Sequence, residues 1–199
     1  MRLVTYLDSN GLPRAGAFIE HDQAVVDLQE ASNLVFQKHS AAFASVLALL
    51  EGGEEAMQAA RTLVARAPSA AVLERSSLKL LAPIQPPPQI RDCSCFELHL
   101  EQCYAAARRA KVAREADPEA ALRAIDTSED DRVLETFRRQ PIYYKANRFA
   151  VIGPDEPILW PSYSRLMDFE LELACYIGKG GKNIRRDQAK AHTAGHTIF

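Results

Sequence analysis

The segment from Asp168 to Cys175 alternates strictly between acidic and apolar side chains, in the order DFELELAC. Strict alternation predicts a β-strand, because successive side chains of a strand point to opposite faces of the sheet. Asp168, Glu170 and Glu172 would then share one face. Two interpretations remain open: a strand whose polar side contacts solvent, or a binding site for a divalent cation that offsets the repulsion between the carboxylates.

The bulk composition excludes several classes of protein. The 199 residues are 47% hydrophobic and 25% charged, with a formal net charge of −2. We therefore expect a soluble globular protein without nucleic-acid or membrane partners, because no strong positive field is present. No apolar run reaches the ~18 residues of a membrane-spanning helix. Four cysteines do not suggest a disulfide framework, so we expect a reducing, cytoplasmic setting.

The first part of the chain predicts a small α+β domain. Residues 1–30 contain short apolar runs around turn signals, which predict strands. Residues 41–67 are rich in Ala and Leu and predict two helices that are broken at a Gly-Gly pair. A proline-rich stretch at 83–88 follows, and proline cannot continue a helix or a central strand. We therefore expect one domain over 1–82 and another over 83–199.

The second domain is predicted to begin with a helix. Asp92 or Ser94 would be its N-cap, and a charged helical insert would follow over 117–139, with Pro118 at its start. Asp92 and His99 are seven residues apart, about two turns, so on one continuous helix they would share a face. They are either an ordinary cap and a solvated histidine, or a metal ligand and a general base.

The last part of the chain predicts strands. From residue 141 onward, short β-rich runs are separated by Gly and Pro, and the run before Gly195 predicts a short helix that this glycine caps. The sequence ends on Thr197, Ile198 and Phe199, a run typical of the beginning of a strand. We therefore expect the 199 residues to stop inside a fold.

Four segments, taken in order and spacing, resemble the fumarylacetoacetate hydrolase family: RDCSCFELH, PIYYKANRFAVIGPDEPILWP, MDFELELACYIGKGGKNI and AKAHTAGHTIF. The resemblance extends from about residue 80 to the end. It implies that 1–82 corresponds to the less regular N-terminal domain of longer members. It also implies that 83–199 is the first part of a mixed β-roll or β-sandwich catalytic domain, and that the full-length protein is a homodimer.

The resemblance implies an enzyme that depends on Mg²⁺ or Ca²⁺, with Mn²⁺ as an alternative, and acts on a small-molecule oxo acid. His99 would be the base that activates water, and Asp168 would support the site. Three carboxylates are implied to be metal ligands: Asp92, Glu170 and Glu172. Three side chains are implied to contact a substrate carboxylate: Arg108, Tyr144 and Lys145.

The implied reaction is hydrolysis of a C–C bond in a 1,3-dicarbonyl or acylpyruvate-type substrate through a metal-bound enolate. Decarboxylation and tautomerisation of a 2-oxo acid use the same enolate, so these alternatives remain open. Two features depart from the family. Ser94 stands where members that cleave fumarylacetoacetate carry an aromatic residue, and the sequence ends at Phe199, where an Asn-Asp pair with a further metal ligand would begin.

Two hypotheses from other classes remain beside the enzyme. One is a non-catalytic binding module whose acidic strand is only a surface. The other is a zinc or thiol protein that uses Cys93 and Cys95 together with His192 and His196. The cysteine pair lacks a second nearby pair, and no Glu follows His192 as a metalloprotease pattern would require.

Overall fold

The computed structural model describes residues 1–199, and the chain divides into two compact units. One unit comprises Met1–Pro86 with Ala150–Phe199, and the other comprises Pro87–Phe149. Helices and antiparallel sheets occur together, which confirms the prediction of an α+β chain at this coarse level. The β-roll and the domain boundary between residues 82 and 83 remain predictions.

A five-stranded antiparallel sheet lies in the first unit, in the order β4-β3-β2-β1-β5. Its strands are β1 (Arg2–Leu7), β2 (Pro13–Ile19), β3 (Ala24–Asp27), β4 (Val72–Glu74) and β5 (Lys79–Leu81). The predicted turn between β1 and β2 is confirmed. Gly11 adopts a φ of +75°, and the Asp8 carboxylate accepts hydrogen bonds from the backbone amides of Asn10 and Leu12.

Three helices pack against this sheet: α1 (Leu28–Phe36), α2 (Val46–Glu51) and α3 (Gly53–Arg66). The predicted break between two helices is confirmed, because α2 ends at Gly52 and α3 begins at Gly53, whose φ is +65°. Helix α1 was not predicted. The Asp27 side chain, which accepts a hydrogen bond from the Glu30 amide, caps its start. None of the chain's helices combines the length and apolarity that crossing a membrane requires.

The buried core joins the sheet to these helices through small and branched side chains. Its fully enclosed members have almost no solvent exposure, and they interdigitate across the contact between sheet and helices. The residues that share this burial are Ala15, Ala17, Val26, Leu28, Ala31, Phe43, Val46, Leu49, Ala60 and Leu63. The core therefore lies in the N-terminal part of the chain and contains none of the predicted site residues.

The second unit contains β6 (Asp92–Cys93), α4 (Glu97–Val112), α5 (Pro118–Ala124), α6 (Ser128–Arg139) and β7 (Tyr143–Tyr144). The helical insert that starts at Pro118 is confirmed, and the Asp117 side chain caps it. The helix predicted to start at Asp92 or Ser94 is wrong at its beginning. Residues 92–94 are extended because they pair with 142–144, including a 3.1 Å bond from the Ser94 amide to the Ile142 carbonyl.

The remaining strands, β8 (Leu173–Ile177) and β9 (Thr193–Ile198), form a two-stranded antiparallel sheet in the first unit. The strand predicted over 168–175 is confirmed only from Leu173. The ladder reaches no further than Glu172 and Phe199, which exchange both backbone hydrogen bonds at 3.0 and 2.9 Å.

The helix that was predicted to end at Gly195 is wrong. Residues Arg186–His192 form a 3-10 segment, and Gly195 lies within β9 opposite Tyr176. The backbone groups of Gly195 are therefore used by the ladder rather than by a helix end.

Candidate functional site

The short ladder between β6 and β7 brings two predicted site residues together. Asp92 pairs with Tyr144, and Cys93 pairs with Tyr143. Directly opposite side chains in an antiparallel ladder share a face, with Cβ atoms about 4.5–5.5 Å apart. The Asp92 carboxylate and the Tyr144 ring therefore share one face. Tyr143 belongs to the other face, where the Arg91 guanidinium lies 5.2 Å from its ring centroid.

His99 lies in the first turn of α4 and is exposed. Its Nε2 atom is 3.5 Å from the Sγ atom of Cys103, one turn further along the helix. The prediction that Asp92 and His99 share a helical face is wrong, because Asp92 belongs to β6 and α4 begins only at Glu97. The base role of His99 stays a prediction.

Arg108 lies near the end of α4, and its guanidinium forms an ion pair with Asp130 of α6. At the other end of the same two helices, Arg138 pairs with Glu97. Sequence reasoning missed Asp130, because a carboxylate in a charged helical insert has no local pattern that reveals a partner on another helix. Lys145 follows β7 directly and is exposed.

One face of the β8 segment is more enclosed than the other. Glu172 is partly buried, as are Ala174 and Tyr176 on the same side, and burial raises the pKa of the Tyr176 hydroxyl. The opposite face is apolar and open to solvent, with Leu173 71% and Ile198 67% exposed. A strand with an ordinary solvated polar side shows the reverse arrangement. Glu170 and Asp168, further from the ladder, are exposed.

The chemistry of the predicted metal ligands suits a hard cation. Asp92, Glu170 and Glu172 supply only carboxylate oxygens, the donors that Mg²⁺ and Ca²⁺ prefer. In the structure no three His, Cys, Asp or Glu side chains lie close enough together to hold a metal ion. Asp92 belongs to one compact unit and the two glutamates to the other, so their convergence stays a prediction.

The histidine pair of the zinc hypothesis does not share a helical face. His192 ends the 3-10 segment, and its Nδ1 atom donates a 2.8 Å hydrogen bond to the Lys179 carbonyl. His196 lies in β9 opposite Cys175. All four cysteines are exposed free thiols. The spacing of the two histidines in the sequence therefore does not correspond to a pair of neighbouring ligands on a helix.

None of the predicted site residues lines either of two surface cavities. A cavity of about 390 Å³ in the second unit is lined by Val133, Thr136, Gln140, Pro141, Ile142 and Tyr143. A cavity of about 660 Å³ in the first unit is bordered by segments that include Arg75, Lys79 and Glu156. The candidate site is therefore defined by the positions of charged side chains and by strand pairing, and not by either cavity.

Comparison with known proteins identifies the family. The model of the fumarylacetoacetate (FAA) hydrolase C-terminal domain matches residues 102–199, which include most of α4, the whole of β7, the acidic segment and the β8–β9 sheet. The chain belongs to the fumarylacetoacetate hydrolase family. The resemblance noted from the four sequence segments is thereby confirmed.

Several curated relatives are similar to this chain over much of its length. The mitochondrial oxaloacetate tautomerase fahd2 of Xenopus laevis is 28% identical over 199 residues, which is 100% of this chain and 50% of the relative. The mitochondrial oxaloacetate tautomerase FAHD2A of Homo sapiens is 29% identical over 150 residues, which is 75% of this chain and 38% of the relative. The chain thus spans half the length of these relatives or less.

These comparisons correct two expectations. The relatives from Xenopus laevis and Homo sapiens are named as tautomerases, so they favour the tautomerase alternative over C–C hydrolysis. The prediction of a cytoplasmic setting is wrong by the same comparison. The relatives from Xenopus laevis, Homo sapiens and Rattus norvegicus are mitochondrial proteins, and cysteine content cannot distinguish one reducing compartment from another.

Proposed function

We propose that the full-length protein is an enzyme that interconverts the keto and enol forms of a 2-oxo acid, with oxaloacetate as its substrate. The observation that carries the proposal is the place of Glu172 at the end of the β8–β9 ladder, where it is partly buried on the face that Ala174 and Tyr176 share. Its carboxylate oxygens are the donors that a hard divalent cation prefers. The names of the relatives supply the reaction type.

The reaction needs a group that moves a proton. In keto oxaloacetate a C–H bond of the carbon next to the carbonyl breaks, and the carbonyl oxygen gains the proton as the enol forms. Because the two forms are isomers, no water or second substrate is consumed. His99 is the residue proposed for this transfer, since an imidazole nitrogen can both accept a proton and return it as a general base and acid.

The three carboxylates are the proposed holders of the cation, which is Mg²⁺ or Ca²⁺, with Mn²⁺ as an alternative. When bound, such an ion polarises the 2-oxo group as a Lewis acid. Strand register supports a fourth oxygen ligand. Glu172 pairs with Phe199, so continued pairing would set Glu170 opposite the second residue after Phe199. The family resemblance implies an aspartate at that position, in an Asn-Asp pair.

The substrate carries two carboxylates, which Arg108, Tyr144 and Lys145 are proposed to bind. A guanidinium, a phenol hydroxyl and an ammonium together present donors that fit a dianion. The place of Tyr144 opposite Asp92 supports this assignment, because a group that binds the substrate must lie near the ion that activates it. We also propose that the full-length protein is a homodimer, which light scattering tests.

A second candidate is hydrolysis of a C–C bond in an acylpyruvate. The name of the matching domain model favours it, and it would use the same side chains, with His99 activating water instead of moving the substrate proton. The two reactions differ in their products. Tautomerisation changes only the enol absorbance of the solution, whereas hydrolysis releases two acids.

The test is the rate of keto–enol exchange of oxaloacetate with purified full-length protein, followed by enol absorbance in Mg²⁺ buffer. We expect acceleration over buffer, and a loss of about 100-fold or more in kcat for His99→Gln. His39→Gln, at an exposed histidine outside the candidate site, is the matched control and should change kcat by less than about threefold. No acceleration by the wild-type protein, together with hydrolysis of an acylpyruvate, would replace the proposal by the second candidate.

A further inference from the structure

We propose that Asp130 is a positioning residue that orients the Arg108 guanidinium for a substrate carboxylate. The inference rests on the proposed function, in which Arg108 contacts the dianionic substrate. Helices α4 and α6 contact each other through these two residues. The Arg108 Nη1 group donates to an Asp130 carboxylate oxygen near the end of α4 and the start of α6.

The two ion pairs that join α4 and α6 differ in their exposure. The side chains of Arg108 and Asp130 are 27% and 25% exposed, whereas those of Arg138 and Glu97 are 55% and 36% exposed. An exposed ion pair contributes little to stability, because water screens its charges. The Arg108–Asp130 pair is less accessible to water. Its hydrogen bond therefore holds the Arg108 guanidinium more firmly in one orientation.

Tyr104 gives an independent sign of this enclosure. It lies one turn before Arg108 on α4. Burial, and then the negative charge of Asp130, raise the pKa of its hydroxyl. The Asp130 carboxylate therefore interacts with both Tyr104 and Arg108 on one side of α4.

The ion pair uses only part of the guanidinium. Arginine has five N–H donors, and Asp130 accepts from Nη1 alone, so the edge formed by Nε and Nη2 remains available. This edge matches the two oxygens of a carboxylate. Asp130 thus fixes the rotation of the guanidinium plane and leaves its recognition edge for the ligand. The expected ligand is a carboxylate of a dianionic 2-oxo acid.

The test compares Asp130→Ala, Asp130→Asn and Glu97→Ala in the full-length protein. The readouts are KM and kcat for oxaloacetate tautomerisation, and the dissociation constant of oxaloacetate by titration calorimetry. We expect Asp130→Ala to raise KM and the dissociation constant by about tenfold, the effect of losing one oriented charged contact. The value of kcat should stay within about twofold, because the base is untouched.

The other two variants separate orientation from helix packing. Asp130→Asn keeps an acceptor for Nη1 and should recover KM to within about threefold of wild type. Glu97→Ala breaks the other ion pair of the same helices and should leave KM within about twofold. Thermal melts followed by circular dichroism establish that each variant is folded.

Several outcomes would overturn the inference. Equal increases in KM for Asp130→Ala and Glu97→Ala would mean that the pair only holds the helices together. A lower dissociation constant in Asp130→Ala would mean that Asp130 competes with the ligand, and unchanged binding in Arg108→Ala would remove Arg108 from the site. Binding of oxaloacetate without turnover contradicts the proposed function alone, whereas turnover that is insensitive to Asp130 contradicts this inference alone. Absence of binding contradicts both.

Discussion

Asp92 lies directly opposite Tyr144 in the antiparallel ladder of β6 and β7, although three helices separate the two residues along the chain. The pairing places a candidate metal ligand and a candidate substrate contact on one face of a two-stranded ribbon. The next pair, Cys93 with Tyr143, faces the other way. The two adjacent tyrosines therefore lie on opposite faces of the ribbon, and only Tyr144 shares a face with Asp92.

The first prediction uses this difference. Tyr144→Phe should raise KM for oxaloacetate by about tenfold, because a hydrogen bond to a charged carboxylate contributes about 1.5–3 kcal/mol. Tyr143→Phe, the matched control, should change KM by less than about twofold. Steady-state kinetics on both variants decides the matter, and equal effects of the two would contradict the assignment of Tyr144.

The second prediction concerns the cation. Glu172→Gln and Glu170→Gln should each weaken Mg²⁺ binding to the full-length protein by about tenfold or more, because each removes a charged oxygen ligand. Asp168→Asn, on the same alternation but proposed only as support, should weaken it by less than about threefold. Titration calorimetry with MgCl₂ measures all three. A dominant loss at Asp168 would reverse the assignment.

The third prediction concerns the stability of the first unit. The buried Asp27 carboxylate accepts hydrogen bonds from the Tyr6 hydroxyl, from Arg14 Nε and Nη2 at 2.8 Å each, and from the Glu30 amide at 2.7 Å. Asp27→Ala should lower the free energy of unfolding by about 3 kcal/mol, since it leaves a partly buried guanidinium and a buried hydroxyl without partners. Urea denaturation measures the change.

The control for Asp27 is another aspartate paired with an arginine of the same sheet. Asp22 forms an ion pair with Arg2, whose side chain is 68% exposed. Asp22→Ala should cost less than about 1 kcal/mol, because solvent screens the pair. A loss of similar size in the two variants would show that the enclosure of Asp27 adds nothing to its contribution.

The fourth prediction is a loss of stability at alkaline pH. Burial and the Asp27 carboxylate raise the pKa of Tyr6 above its ordinary value of 10.0. A raised pKa means that the folded state keeps a proton that the unfolded state releases. Its contribution to stability is therefore complete below about pH 10 and declines as the pH rises further. Urea midpoints measured from pH 8 to 11 should fall less steeply in Tyr6→Phe than in wild type.

Local patterns predicted the parts of the fold that local physics controls. The turn at Gly11, the helix break at Gly52 and Gly53, and the helix start at Pro118 each depend on the backbone freedom of glycine or the fixed φ of proline. Such preferences act within a few residues, so the sequence shows them directly. The start of α1 at Asp27 was equally local, yet the strand-like run before it concealed the cap.

Pairing between distant segments was beyond any local pattern. The run from Asp92 to His99 has good helical composition, but the amide of Ser94 is satisfied by Ile142, and the helix therefore begins only at Glu97. A helix and a strand satisfy backbone groups equally well. Which one forms depends on whether a distant strand is available as a partner.

The sequence by itself determined the alternation of acids with apolar residues around Glu170 and Glu172, and with it the family. Only the tertiary structure decided that the side of Glu172, Ala174 and Tyr176 is the more enclosed one within the ladder, and that Arg108 contacts Asp130. Alternation fixes which side chains share a face, because the period of a strand is two. It leaves open which face packs inward, since that depends on what the rest of the chain places against the sheet.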